Sequence, residues 1–174
     1  MRFVDFLRLT VLLSAAAASL LAVLCVAGAS NRDETVLVLG IAGWWVVAAA
    51  IGLWLGRRAA TNPPITRLLA DAKAATMLPE HRPGFTIVNR LWPLLLLTLV
   101  SGAIAFLAPQ IPGIAAGFAI IWALAWRRQD AAVEAIEERD GVTFYVEKTA
   151  PHQPIRLVRT PGFRREVPTV SAPG

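Results

Sequence analysis

The sequence predicts an all-α membrane protein, a four-helix transmembrane bundle with a small cytoplasmic helix extension and a β-hairpin at its C-terminal end. Three observations predict it. Apolar residues make up 56% of the 174-residue chain, above the share of ordinary soluble domains. They are gathered into four blocks, residues 9–29, 35–56, 91–108 and 111–126, none of which contains Asp, Glu, Lys, Arg or His. Basic residues collect at one set of block ends.

The first two blocks have the length of about 20 residues that a helix needs to cross a hydrocarbon core of roughly 30 Å. The last two are shorter. Without water each block must satisfy its own backbone polar groups, and helix is the state that does so. Residues 1–30 also have the layout of a secretory signal, with Arg2 and Arg8 ahead of the apolar run and Ala27-Gly28-Ala29 at its end. The run exceeds the roughly 7–15 residues of such signals, so a retained span is expected. The last two blocks are joined by uncharged Ala108-Pro109-Gln110-Ile111-Pro112. A re-entrant hairpin is the alternative to two full crossings there.

Orientation follows from lysine and arginine in short flanking loops. The 57–90 loop holds Arg57, Arg58, Arg67, Lys73, Arg82 and Arg90, and Arg127 and Arg128 follow the last block. Only Arg32 lies on the opposite side. The loop and both termini are therefore expected in the cytoplasm. Trp54, Trp92, Trp122 and Trp126 fall near the same boundary, where an aromatic belt sits. The pI of about 10.6 thus reflects topology, and nucleic acid is not an expected partner. Arginine outnumbers lysine 15 to 2 beside abundant alanine, a composition that points to a GC-rich bacterial genome and hence to the bacterial cytoplasmic (inner) membrane.

Residues 1–126 read as the transmembrane domain, including the 57–90 loop. In that loop Asn62-Pro63-Pro64 starts a helix, because proline suits first-turn positions. Ile65, Leu68, Leu69, Ala72 and Thr76 share one face of it. Such a helix either lies on the membrane surface or covers the end of the bundle. Residues 127–160 read as a cytoplasmic unit. The fourth helix projects through 127–139 and stops at Asp140-Gly141. Val142, Phe144 and Val146 then alternate with polar residues as a strand, and 155–160 supply the partner. A lone hairpin is marginal in water, so it should rest on the loop, a second copy or another protein. Residues 161–174 read as a flexible tail.

Small residues permit the close backbone approach that drives helix association in lipid. Gly52 and Gly56, and Gly113 and Gly117, have that spacing. Pro93 falls in the expected first turn of the third helix. Trp44 and Trp45 lie near mid-membrane, where they either pack between helices or line a hydrophobic groove for an acyl chain, isoprenoid or partner helix.

Chemistry has few candidates. Ionisable groups inside the membrane mark proton and ion paths, and the four blocks hold none. His81 and His152 have no second ligand at metal spacing, so no metal or other cofactor is expected. Glu134, Glu137, Glu138 and Asp140 read as a solvated helix face. Arg57, Arg58, Arg90, Arg127 and Arg128 are placed to meet anionic headgroups, at roughly 1 kcal/mol each. The expected function is non-catalytic: a scaffold, accessory subunit or assembly factor whose partners are membrane lipids and a protein or second copy. The alternatives are a lipid- or isoprenoid-handling protein built around Trp44 and Trp45, and a small oligomeric pore lined by Ser14, Ser19, Thr98 and Ser101.

Overall fold

A computed structural model describes residues 1–31, 34–58, 60–75, 83–147, 149–150 and 153–161, with Pro83 and Phe85 described by their backbone alone. The protein is mostly helical. Its elements run α1 (Phe3–Ser30), α2 (Thr35–Leu55), α3 (Pro63–Ala70), β1 (Lys73–Ala74), α4 (Pro83–Ile104), α5 (Gln110–Trp126), α6 (Gln129–Asp140), β2 (Val142–Val146) and β3 (Leu157–Pro161). Among the described residues, three helices are long and apolar enough to cross a membrane: α1, α2 and residues 86–104 of α4.

α5 is the hub, with α1 and α2 packed along it and α4 at its flank. The sequence makes this possible by removing side chains where helices meet. A Cβ on Gly52 would lie 2.8 Å from Leu124 Cβ and 3.1 Å from the Ile121 backbone, and one on Gly56 would collide with the Leu124 carbonyl. At the other end, a Cβ on Gly28 would lie 3.0 Å from Pro109 Cβ. Between these ends, Leu21 packs with Ala115 and Ala116.

A second core sits at one end of the bundle. Phe3, Val4, Phe6 and Leu7 of α1 meet Ile65 of α3, Val133 of α6 and the sheet residues Phe144, Val146 and Leu157. At about 1.5 Å per residue, the 28 residues of α1 span ~42 Å. The excess over a ~30 Å hydrocarbon core is what its first turns contribute here. The sheet has the order β1-β3-β2. β1 runs parallel to β3, and β2 pairs antiparallel with it from Val142↔Pro161 to Val146↔Leu157. The far edge of β2 is covered by the N-terminus: Arg2 bridges Tyr145, and Val146 N–H donates to the Met1 carbonyl at 3.0 Å.

Several expectations change. The amphipathic loop helix ends at Ala70, and Lys73–Ala74 leave it to form β1, so the apolar face does not run on in helical register; Thr76 lies outside the described residues. Ile65, at 1% exposure, is inserted into the end core. The helical run past Trp126 is interrupted by a turn at 127–128, and α6 then continues the antiparallel course of α5 along the first turns of α1, with Asp130 and Glu134 at Arg8 and Glu137 at Arg2. Ala132 and Val133 are buried on its inner side. α6 ends where Gly141 adopts φ 63°, ψ 31°, the left-handed conformation that glycine takes without a Cβ clash. The third helix spans 83–104 instead of 91–108, which leaves Pro93 in its interior. Residues 86–90 join it because Asn89 and Arg90 find partners at Thr149 and Gln153. The expected tail beyond Pro161, like Arg32, Arg82, His81 and His152, lies outside the described residues.

Candidate functional site

Polar side chains at the sheet end converge on the chain's own distant segments. Glu137 is buried, with its side chain 5% exposed. Its Oε2 accepts from Arg2 Nη2 at 2.7 Å and its Oε1 from the Phe144 N–H at 2.8 Å. Glu137 thus ties the first residues to α6 and to the start of the sheet. The hydrogen bond from Arg2 to Glu137 raises the guanidinium pKa above its ordinary value. One and two turns earlier on the same helical face, Glu134 and Asp130 receive Arg8 at 2.8 and 3.0 Å. Gln129 is buried at the first position of α6. Its Oε1 accepts the Asn62 N–H at 2.9 Å, which anchors the residue that begins α3.

The reading of Glu134, Glu137, Glu138 and Asp140 as a solvated face is therefore corrected at Glu137, which is internal, while Glu134 stays partly exposed and shares Arg8 with Asp130. Complementary pairs separated by 122 to 135 residues leave no local sequence pattern. The available clue is that Asp130, Glu134 and Glu137 recur at i, i+4 and i+7, one stripe that can face cations.

Of the five arginines expected to meet headgroups, Arg128 and Arg90 also bond to the chain's own distant segments. Arg128 Nη1 donates to the Arg57 carbonyl at 3.1 Å, at the end of α2. Arg90 donates to the Gln153 carbonyl and to Thr149 Oγ1, while Asn89 Nδ2 donates to the Thr149 carbonyl at 2.9 Å. These bonds hold the β2–β3 connection against α4. Arg57 and Arg58 are exposed beside Trp54, Leu55 and Asn62, around an open recess of about 410 Å³. Arg127 is exposed.

Trp44 and Trp45 face α5 and are half-buried against it. Trp44 Nε1 donates to the Ile114 carbonyl at 3.2 Å and Trp45 Nε1 to the Gly113 carbonyl at 2.8 Å. A helical carbonyl has a second lone pair for such a bond. Gly117 is what admits the Trp44 ring, since a Cβ there would overlap the indole. Gly113 similarly leaves room for Ile41 and the Cys25 sulfur. Trp44 also meets Phe118 edge-on, with ring centroids 5.6 Å apart.

Of the hydroxyls named as a possible pore lining, Ser14 is buried, Thr98 half-buried and Ser19 exposed. Ser14, Ser19 and Thr98 each donate to the carbonyl four residues earlier in their own helix, at 2.7, 3.0 and 2.7 Å. Ser101 is buried.

Two apolar cavities meet at Arg90. The inner, about 180 Å³, lies beneath the sheet end among Phe3, Phe6, Leu7, Ile65, Leu68 and Trp126. The outer, about 330 Å³, opens along α4 and α5 and is lined by Pro93, Leu94 and Leu97. Both are bounded by Arg90, Leu91 and Trp122. Trp122 stacks on Trp126 with centroids 5.4 Å apart. The cavities these rings border depend on the α4–α5 crossing, which periodicity does not reveal.

Among the described residues, no three His, Cys, Asp or Glu side chains gather as a metal site. In comparisons with protein-family models, curated proteins and solved structures, no match to this chain is found.

Proposed function

We propose that the chain is a non-catalytic membrane protein that crosses the bilayer four times, with both ends on the cytoplasmic side, and acts as a scaffold, accessory subunit or assembly factor. The observation that carries this reading is how the polar residues at the sheet end are used. Arg2, Arg8, Gln129, Asp130, Glu134 and Glu137 bond to other parts of the same chain, so their chemistry goes into architecture.

The four-crossing reading is supported by the course of α5. It lies beside Gly28 at one end and beside Gly56 at the other, along the full bundle. A shallow hairpin would meet its neighbours at one end alone. Its 17 residues cover ~26 Å at 1.5 Å per residue, and Arg127 and Arg128 can reach the remaining distance to the interface. Orientation is supported by Arg57, Arg58, Arg67, Lys73, Arg90, Arg127 and Arg128, which share the sheet end.

The C-terminal strands rest on the chain's own N-terminus and loop, so they do not call for an outside support. Partner contacts move to the membrane faces, where Leu96, Leu99 and Val100 of α4 are exposed. Single-cysteine labelling on a Cys25→Ser background tests topology. Cysteines at Glu138 and at Thr61 should react only from the cytoplasmic side, and one at Glu34 only from the other. Mass measurement in mild detergent tests the contact role: a companion protein or a second copy is expected, and a strictly monomeric, partner-free particle contradicts it.

A further inference from the structure

We propose that the outer cavity at Arg90 is a binding site for an anionic membrane phospholipid, with the phosphate on the Arg90 guanidinium and one acyl chain along Leu94 and Leu97. The inference rests on the membrane reading above. Its starting point is an imbalance of charge. Arg90 is half-buried at the junction of two apolar cavities, and among the described residues its hydrogen bonds go to neutral acceptors, a hydroxyl and a carbonyl. The salt bridges among those residues engage Arg2, Arg8 and Arg139 instead. A cation withdrawn from water without a counter-charge is costly, and an anion beside it removes that cost.

The remaining geometry says which anion. The guanidinium has more N–H donors than its two acceptors use, so it can clamp a phosphate in a planar, two-point contact while still holding Thr149 and Gln153. The cavity next to it is lined by proline and leucine and opens sideways between α4 and α5, where a bilayer lipid can enter without passing through water. Its volume of about 330 Å³ lies within the roughly 300–1,000 Å³ of small-molecule pockets. Trp122, at the rim of both cavities, puts an amphipathic ring at headgroup depth. Free inorganic phosphate would leave the leucine wall uncovered, whereas a phospholipid satisfies charge and wall together. The recess at Arg57 and Arg58 is the weaker candidate, because those exposed side chains keep their hydration and need no counter-ion.

The test is lipid retention by the full chain in nanodiscs of mixed phosphatidylglycerol and phosphatidylcholine, read by native mass spectrometry after release into detergent. The wild type should retain phosphatidylglycerol over phosphatidylcholine. Arg90→Gln should weaken that preference by about tenfold or more, a change of ~1.4 kcal/mol. Leu97→Trp, which fills the groove and leaves Arg90 and its bonds in place, should lower retention of phosphatidylglycerol equally. The double substitution Arg57→Gln and Arg58→Gln removes more charge and should leave the preference intact. Preference that survives both Arg90→Gln and Leu97→Trp, or that disappears only in the Arg57/Arg58 variant, overturns the site. A membrane-borne chain holding both lipids equally overturns the site alone. A chain found in the soluble fraction overturns the membrane reading and the site with it.

Discussion

Alanine substitution of the four glycines along α2 and at its C-cap should separate positions that touch α5 from those that do not. Gly40 and Gly43 have nothing within 4 Å of an added Cβ. Gly52 would bring a Cβ to 2.8 Å from Leu124 Cβ and 3.1 Å from the Ile121 Cα and carbonyl oxygen. Two of those three atoms are backbone, so no rotamer change relieves the overlap and α5 itself must retreat. Forcing extra atoms into a close-packed contact costs typically about 1–3 kcal/mol. Alanine returns up to roughly 1 kcal/mol of helix propensity at any of these positions, less in a membrane where the alternative is not a hydrated coil. Gly52→Ala should therefore lose about 1–2 kcal/mol, and Gly56→Ala at least as much because it meets the Leu124 carbonyl. Gly40→Ala and Gly43→Ala should be neutral or slightly stabilising. Reversible unfolding in mixed micelles, followed by tryptophan fluorescence, measures all four, and Trp44 and Trp45 report on the α2–α5 contact directly. Equal effects at Gly40 and Gly52 would refute the reasoning, because they would mean that α2 does not meet α5 through its C-terminal glycines.

Other outcomes follow from the same contacts. Glu137→Ala strands the Phe144 N–H in a buried setting and releases Arg2, which is 44% exposed on its side chain and so recovers hydration. A loss of roughly 2–3 kcal/mol in thermal or denaturant unfolding is expected, with Glu137→Gln losing less because its amide oxygen still accepts from Phe144. Gly141→Ala should cost about 1–2 kcal/mol through the left-handed backbone alone, since no atom lies within 4 Å of the added Cβ; unfolding scans of the two proteins would show it. Trp45→Phe deletes the 2.8 Å bond to the Gly113 carbonyl while keeping most of the ring, and should destabilise by about 0.5–1.5 kcal/mol in the same micelle assay.

Much of the bundle is legible in the sequence because its cause is local. Twenty or so uncharged apolar residues specify a helix through the need to satisfy a backbone without water, and α1 and α2 fall within residues of where composition places them. The Gly52/Gly56 and Gly113/Gly117 spacings point to close contacts, although spacing does not say that the first pair meets Leu124 and the second meets Ile41 and Trp44. Boundaries shift where a polar residue acquires a distant partner. Asn89 and Arg90 look like loop because their acceptors lie at Thr149 and Gln153, 59 to 63 residues on. The short interruption at 127–128 leaves no mark in the sequence, since helical periodicity continues through it.

The sheet end joins these two kinds of information. β2 alone is an alternating strand, and β3 alone is weakly patterned; neither can stay dry by itself. Their apolar side is closed by Phe3, Val4 and Leu7, and the free edge of β2 by Met1 and Arg2. The first seven residues therefore serve the sheet. If α1 were severed from the rest, the end core would lose one wall and α5 would lose its longest contact together. Glu137 marks where that dependence is greatest: a single carboxylate holds the chain's second residue with one oxygen and the third residue of β2 with the other.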